Sequence, residues 1–411
     1  MNLLLYAKGD DVTSWRAVEN FTAAYHQALL YRAASDPGVS AEAVLLVTSA
    51  SIEAVIATHR QLLARLECLT EGLSVATPSA GLKELTLSFY SDLYRYFGLF
   101  RSAPAFYQLS MDFLNRASAA IIARATEQLG PDAGALPEMA LIAVGPAGRS
   151  EYSPFCRLQL LLVHGEAAGP QLQSIDLFCQ ALHAGFETAG LAVDPEVTPR
   201  NAEWRGTLAQ WRHRCEEGLR PKVNEEIINL CRFVDQAPLS SANRLAREFM
   251  QISSTALGGS RPALTNLIVR MAALSNGLGL MGRLKLERSG SNRGLFRLID
   301  HGLLPLSAAL SALSLIKKTG AGGNCERINN LLRRGELDVD QAERMLTTWH
   351  SLHGMRLLRE QSFPIGEHIN EAAFLNPDEL TFEQMQSLKE TLDSVAVIQR
   401  QVEIIFSGTG E

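Results

Sequence analysis

Between residues 144 and 163 the chain reads VGPAGRSEYSPFCRLQLLLV, a stretch whose residue types and spacing suit phosphate chemistry. Gly145 and Gly148 permit a tight turn after an apolar run and let backbone N–H groups approach a phosphate. Positions 157 and 159, two apart on the apolar run that follows, face the same side of a strand with side chains ~6 to 7 Å apart. Two carboxylates there would hold divalent cations that bridge the phosphates of a nucleoside triphosphate and activate the attacking group. This chain instead carries Arg157, a guanidinium, and Gln159, an amide. Two unit charges 4 Å apart interact by ~4 kcal/mol at an effective dielectric near 20, so a dication beside Arg157 meets roughly twice that in repulsion.

The stretch resembles the G-S-x-G-R-x-E, then S-D-x-D motif of the nucleotidyltransferase domain in bacterial PII uridylyltransferases. It is closer still to related nucleotidyltransferases that accompany cyclic-nucleotide-binding and CBS regulatory domains. Gly145, Gly148, Arg149 and Glu151 match that pattern, whereas Pro146, Arg157 and Gln159 depart from it. Pro146 removes a hydroxyl and a backbone donor from the phosphate turn. The resemblance continues through NAEWRGTLAQWRHR at 201–214 and FVDQ at 233–236, where Asp235 matches an acid and Gln236 replaces an arginine. It extends to a carboxy-terminal helical domain, echoed by NGLGLMGRLKLERSGSNRGLFRLIDHGLLPL and LNPDELTFEQMQSLKETLDSVAVIQRQVEIIF, and covers about residues 100–408.

The resemblance implies a nucleotidyltransferase-fold signalling or regulatory protein, catalytically degenerate, that binds a nucleotide or a partner protein. The alternative is an active protein nucleotidyltransferase, transferring uridylyl or adenylyl groups with relocated metal ligands. In that case Mg2+ and a nucleoside triphosphate are its cofactors, and Glu151, Asp235, Asp194 and Glu196 are the acids at hand; otherwise these are solvated or capping carboxylates, and no cofactor or metal ligand is expected. Gly145, Gly148, Arg149 and Arg157 form a candidate phosphate site that needs no metal. The competing reading pairs Arg157 with a neighbouring acid such as Glu151.

The elements that must position these residues change along the chain. The first 130 residues are helical in pattern. Trp15, Val18, Phe21, Tyr25 and Leu29 recur at helical steps behind Thr13 and Ser14, and similar patterning covers 40–69, LKELTLSFYSDLYRYFGLF and APAFYQLSMDFLNRASAAIIARATEQL. LGPDAGALPE at 129–138 breaks the pattern. MALIAVG and RLQLLLV then read as strands, with a helix between Gly169 and Gly190. Helices return after Pro221. In the last of them Thr381 and Gln384 make a capping box, and Phe382, Met385, Leu388, Leu392, Val395, Ile398, Val402 and Ile405 trace one face. That stripe reads as bundle core, with a homodimer seam as the alternative. The expected fold is α+β and mostly helical: a helical region at 1–132, a nucleotidyltransferase-like α/β domain at 133–235, and a helical bundle at 236–411.

Composition narrows the partners. At 411 residues the chain exceeds one ordinary hydrophobic core. Its 38 Lys and Arg against 44 Asp and Glu give a formal charge of -6, so neither nucleic acid nor an anionic membrane is expected to be recruited by a global field. Six cysteines without a C-x-x-C pair suit a reducing cytosol, and the amino terminus lacks the basic start of a secretion signal, so a cytoplasmic location is expected. The apolar run from Leu303 is shorter than the ~18 to 20 residues of a spanning helix and reads as a buried helix. GLGLMG at 277–282 fits G-x-G-x-x-G, but it follows a helical pattern rather than a strand, which argues against a dinucleotide site. His350 and His353 could share a helix face, with no third ligand in view.

Overall fold

The computed structural model describes residues 41–74, 77, 79–130, 136–218, 232, 234–320 and 322–408. The helix expected over Trp15 to Leu29, and Cys231, lie outside the described residues.

Three long helices open the described chain: α1 (Ala41–Glu71), α2 (Ser79–Phe100) and α3 (Ala103–Gln128). Ser102 caps α3 by accepting the Ala105 N–H, and Pro104 sits in its first turn, where a missing N–H costs nothing. Aromatic residues knit α2 to α3. Phe89 stacks on Phe113 at 4.0 Å, and Tyr94 packs against Phe106 at 4.9 Å. All three helices lie where helical periodicity placed them.

The centre is a four-stranded mixed sheet in the order β3-β2-β1-β4. Its strands are β1 (Met139–Val144), β2 (Gln159–His164), β3 (Arg205–Gly206) and β4 (Gln236–Pro238). β1 runs antiparallel to β2, with Val144 opposite Gln159, and antiparallel to β4, with Val144 opposite Gln236. β2 and β3 are parallel. β1 and β2 are near-continuous apolar runs because both faces of the sheet are covered. One face, with Leu141, Ala143, Leu160 and Leu162, joins the main core with Ile175, Phe178 and Leu182 of α5 (Pro170–Thr188). The other, with Ile142, Val144, Leu161 and Val163, packs on Trp211 of α6 (Leu208–Gly218) and on Leu245 and Phe249 of α7 (Arg244–Gly259). The sheet layer therefore continues past residue 235, where the sequence reading ended it. β4 begins at the next residue, and α7 covers a sheet face.

A helical bundle follows. It comprises α8 (Arg261–Ala273), α9 (Leu304–Ile316), α10 (Asn324–Arg333), α11 (Val339–Glu360) and α12 (Phe382–Gly408), with a two-stranded ribbon of β5 (Phe296–Arg297) and β6 (Phe374–Leu375). α9 is the apolar run that starts near Leu303. Ile299–Ile316 is long and apolar enough to cross a membrane by length and composition, but 72% of it is buried inside the protein. On α12 the capping box forms as expected, Gln384 N–H donating to Thr381 Oγ1 and Thr381 N–H to Gln384 Oε1. Leu388, Leu392, Val395, Ile398 and Val402 are buried in the chain's own core, so this stripe is not a dimer seam; Phe382, at its start, is 82% exposed. One apolar cluster runs from α1 through the sheet to α12.

Candidate functional site

The glycine-rich segment makes one helical turn, Gly145–Gly148, directly off the end of β1. Gly148 is required by crowding and Gly145 by its left-handed backbone. A Cβ on Gly148 would lie 2.1 Å from the Asp235 carbonyl oxygen and 2.9 Å from that of Ala143. Gly145 has φ +65°, and a Cβ there would meet Gln159 Oε1 at 2.6 Å. Both small residues thus let neighbouring protein groups approach, the second reason glycine is used in such turns.

Arg149 leaves this turn and points inward. Its Nε donates to Glu151 Oε2 at 2.9 Å and its Nη1 to Asp235 Oδ2 at 2.8 Å. Asp235 is fully buried and also takes Arg327 Nη1 at 2.7 Å and the Ser311 hydroxyl at 2.7 Å. The Arg327 Nη2 donates to the Val234 carbonyl at 3.0 Å. Glu151 accepts from Trp349 Nε1 at 2.7 Å and Asn324 Nδ2 at 2.8 Å on its other oxygen. The result is a closed network of two carboxylates and two guanidiniums joining the turn, the entry to β4, α9, α10 and α11. Burial favours the neutral acid at Glu151, but Arg149 and the hydrogen bonds from Trp349 and Arg149 outweigh it and hold its pKa at about 2. For Arg149 burial disfavours the charge, and Glu151 and Asp235 more than restore it.

His353 lies beside the network. Its Nδ1 is 2.7 Å from the Tyr107 hydroxyl of α3, and its Nε2 is 3.6 Å from Glu151 Oε1 with no hydrogen bond of its own. Burial lowers its pKa to about 3, so the ring is neutral near pH 7 and the contact with Glu151 is not a salt bridge there. A second buried cluster adjoins it. Arg356 donates to Glu360 at 2.7 Å, to Ser153 at 2.9 Å and to the Cys156 sulfur, while Tyr94 of α2 donates to Glu360 at 2.7 Å. His350, in contrast, is exposed and stacks edge-on against Trp349, so the two histidines do not form a ligand pair.

The strand positions look outward. Arg157, just before β2, is exposed and makes no hydrogen bond or ion pair among the described residues. It does not pair with Glu151, which Arg149 holds. Gln159 donates through Nε2 to Asp194 Oδ2 at 3.1 Å and accepts from Arg232 Nε at 3.3 Å. Asp194 reaches this place because 193 bridges 158 in a parallel register, and its other oxygen accepts the N–H groups of Glu196 and Val197. Glu196 is exposed. Of the expected acids, then, only Asp194 stands next to position 159; Glu151 and Asp235 are enclosed with their arginines. Arg149 turns its Nε and Nη1 inward to the two acids, whereas Arg157 is exposed. This donor set does not fit a pair of dications: one strand position is a guanidinium with no anionic partner among the described residues, the other an amide already bonded on both sides.

Residues 98–225 match the family model described as "Putative nucleotidyltransferase DUF294", and residues 261–406 match the one described as "Putative nucleotidyltransferase substrate binding domain". The chain belongs to this nucleotidyltransferase family. No curated protein matches it. Within the nucleotidyltransferase half lie the glycine turn, Glu151, Arg157, Gln159 and Asp194; Asn324, Arg327, Trp349 and His353 lie in the substrate-binding half. The network thus crosses between the two matched segments. Sequence reading missed Ser311, Asn324, Arg327 and Trp349, for each meets its acid across 76 to 198 residues of chain and carries no local signal.

Proposed function

We propose that this nucleotidyltransferase-family protein is catalytically degenerate and works in the cytoplasm as a regulatory protein that binds a nucleotide or a partner protein. The observation that carries this reading is the fate of the acids. Glu151 and Asp235, which could replace the missing pair, are each held by arginine inside the protein. Removing either from its arginine to coordinate a metal would strand a buried charge, at a cost of about 3 to 5 kcal/mol. Arg157, exposed just before β2, and Arg232, which donates to Gln159, are the guanidiniums that the described residues offer to an anion there.

Incubation with labelled ATP, UTP, GTP and CTP plus magnesium or manganese tests the reading, and no labelled protein product is expected. Calorimetry with and without chelator is expected to give binding that needs no metal and weakens in Arg157→Ala. Metal-dependent transfer by the wild-type chain would overturn the proposal. Asp194 favours one alternative, an active enzyme with a relocated ligand, because its carboxylate touches Gln159. Under that alternative labelled product forms and disappears in Asp194→Asn.

A further inference from the structure

The G-x-G-x-x-G stretch at 277–282 has no part in the glycine-turn site, and the structure gives it an unexpected form. It is the tip of a hairpin. Gly279 N–H donates to the Arg283 carbonyl at 2.8 Å and Lys285 N–H to the Gly277 carbonyl at 2.7 Å, while 278 bridges 284. A second hairpin follows, closed by Glu287 N–H to Leu295 O and Gly294 N–H to Glu287 O, both 2.9 Å. At the first tip two adjacent large apolar residues project into solvent, Leu280 at 91% and Met281 at 94% exposure.

The tip backbone makes this more unusual. Met281 has φ 60° and ψ 28°, and Gly282 follows at φ 67°. Turns normally place Gly or Asn at such left-handed positions, because a longer side chain pays a steric penalty there. An exposed methionine in that conformation adds nothing to the fold's core, which points to a use for the side chain. Around it the two hairpins carry Arg283, Lys285, Arg288 and Arg293, all exposed. Arg283, Arg288 and Arg293 have no carboxylate partner among the described residues, and Lys285 donates to Ser275. The one acid on the hairpins, Glu287, is neutralised by Arg297 at 2.6 Å.

We infer that this double hairpin docks on an anionic lipid surface, with Leu280 and Met281 entering the interface and the four cations meeting the headgroups. A convex tip with two aliphatic residues is far smaller than the ~800 Å2 that each partner buries in a specific protein complex. Lipid needs no matching socket, and a small apolar tip with a cluster of cations suits weak, reversible association. The chain's charge of -6 does not oppose this, because screening over ~10 Å at 0.1 M salt leaves a headgroup sensing only the local patch. The inference is independent of whether the glycine-turn site transfers or only binds.

Flotation of the full-length protein with vesicles tests it. Binding to phosphatidylglycerol/phosphatidylethanolamine vesicles is expected at low salt, with release at high salt and none to pure phosphatidylcholine. Leu280→Ser with Met281→Asn is expected to weaken binding at least ~10-fold while leaving the melting temperature unchanged or higher, since Asn suits the left-handed turn. Arg283→Glu with Arg293→Glu is expected to weaken it similarly. Failure of the wild type to float with the anionic vesicles overturns the inference, as does undiminished flotation of the Ser/Asn variant. Retention by RNA without vesicle binding also overturns it, in favour of a nucleic-acid surface.

Discussion

Gly148 and Arg327 show how much single positions in this site are committed to packing. The Asp235 backbone crosses so near Gly148 that a methyl group has no room, and backbone cannot move aside as a flexible side chain can. Gly148→Ala is expected to destabilise the protein by about 3 kcal/mol or more, read as a drop in the denaturant midpoint. Arg327→Met leaves the buried Asp235 with one guanidinium instead of two, and a loss of about 3 to 5 kcal/mol is expected in the same measurement. Exposed Arg157→Ala, by contrast, should leave stability within about 0.5 kcal/mol. That contrast separates a residue available for ligand from residues that hold the turn in place.

At the scale of elements, α11 and α12 dock through different chemistry. α12 buries an apolar stripe, so Leu392→Ala is expected to cost about 2 to 5 kcal/mol, while Phe382→Ala, one end of the same sequence pattern, changes little. Calorimetric melting of the two variants checks this. α11 brings Trp349 and His353 to Glu151, and its docking is sensitive to acid. His353 titrates near 6.5 when unfolded and about 3 when folded, so the unfolded chain binds the extra proton between those values. Glu151, with a folded pKa lowered to about 2, contributes stability that is complete above pH 4.5 and lost as pH falls towards 2. Stability should therefore decline from about pH 6.5 downward. His353→Gln is expected to flatten the upper part of that decline, from pH 6.5 to about 4.5, in melting temperature against pH.

Across the whole molecule, the turn, the sheet and the bundle share one apolar core, and the ion network stitches the two matched segments together inside it. Most of the framework was legible in the sequence. Periodicity located α1 to α3, β1, β2, α5 and α12, because burial of one face, or of both faces of a strand, writes a repeat of fixed length into neighbouring residues. The motif likewise singled out Gly145, Gly148, Arg149 and Glu151, and a separate segment supplied Asp235, without placing the acids relative to one another. Their roles were not legible. Nothing near residue 151 shows that Arg149 turns inward, that Asn324 and Trp349 complete the glutamate's shell, or that Asp194 comes to lie against Gln159. Composition was equally silent about Leu280 and Met281, whose pattern matched buried apolar residues elsewhere in the chain. Local order follows from short-range sterics and periodic burial, which adjacent residues encode. Which charge meets which partner, and which apolar side chain is left in water, depends on groups brought together from distant parts of the chain, and only the tertiary structure decides that.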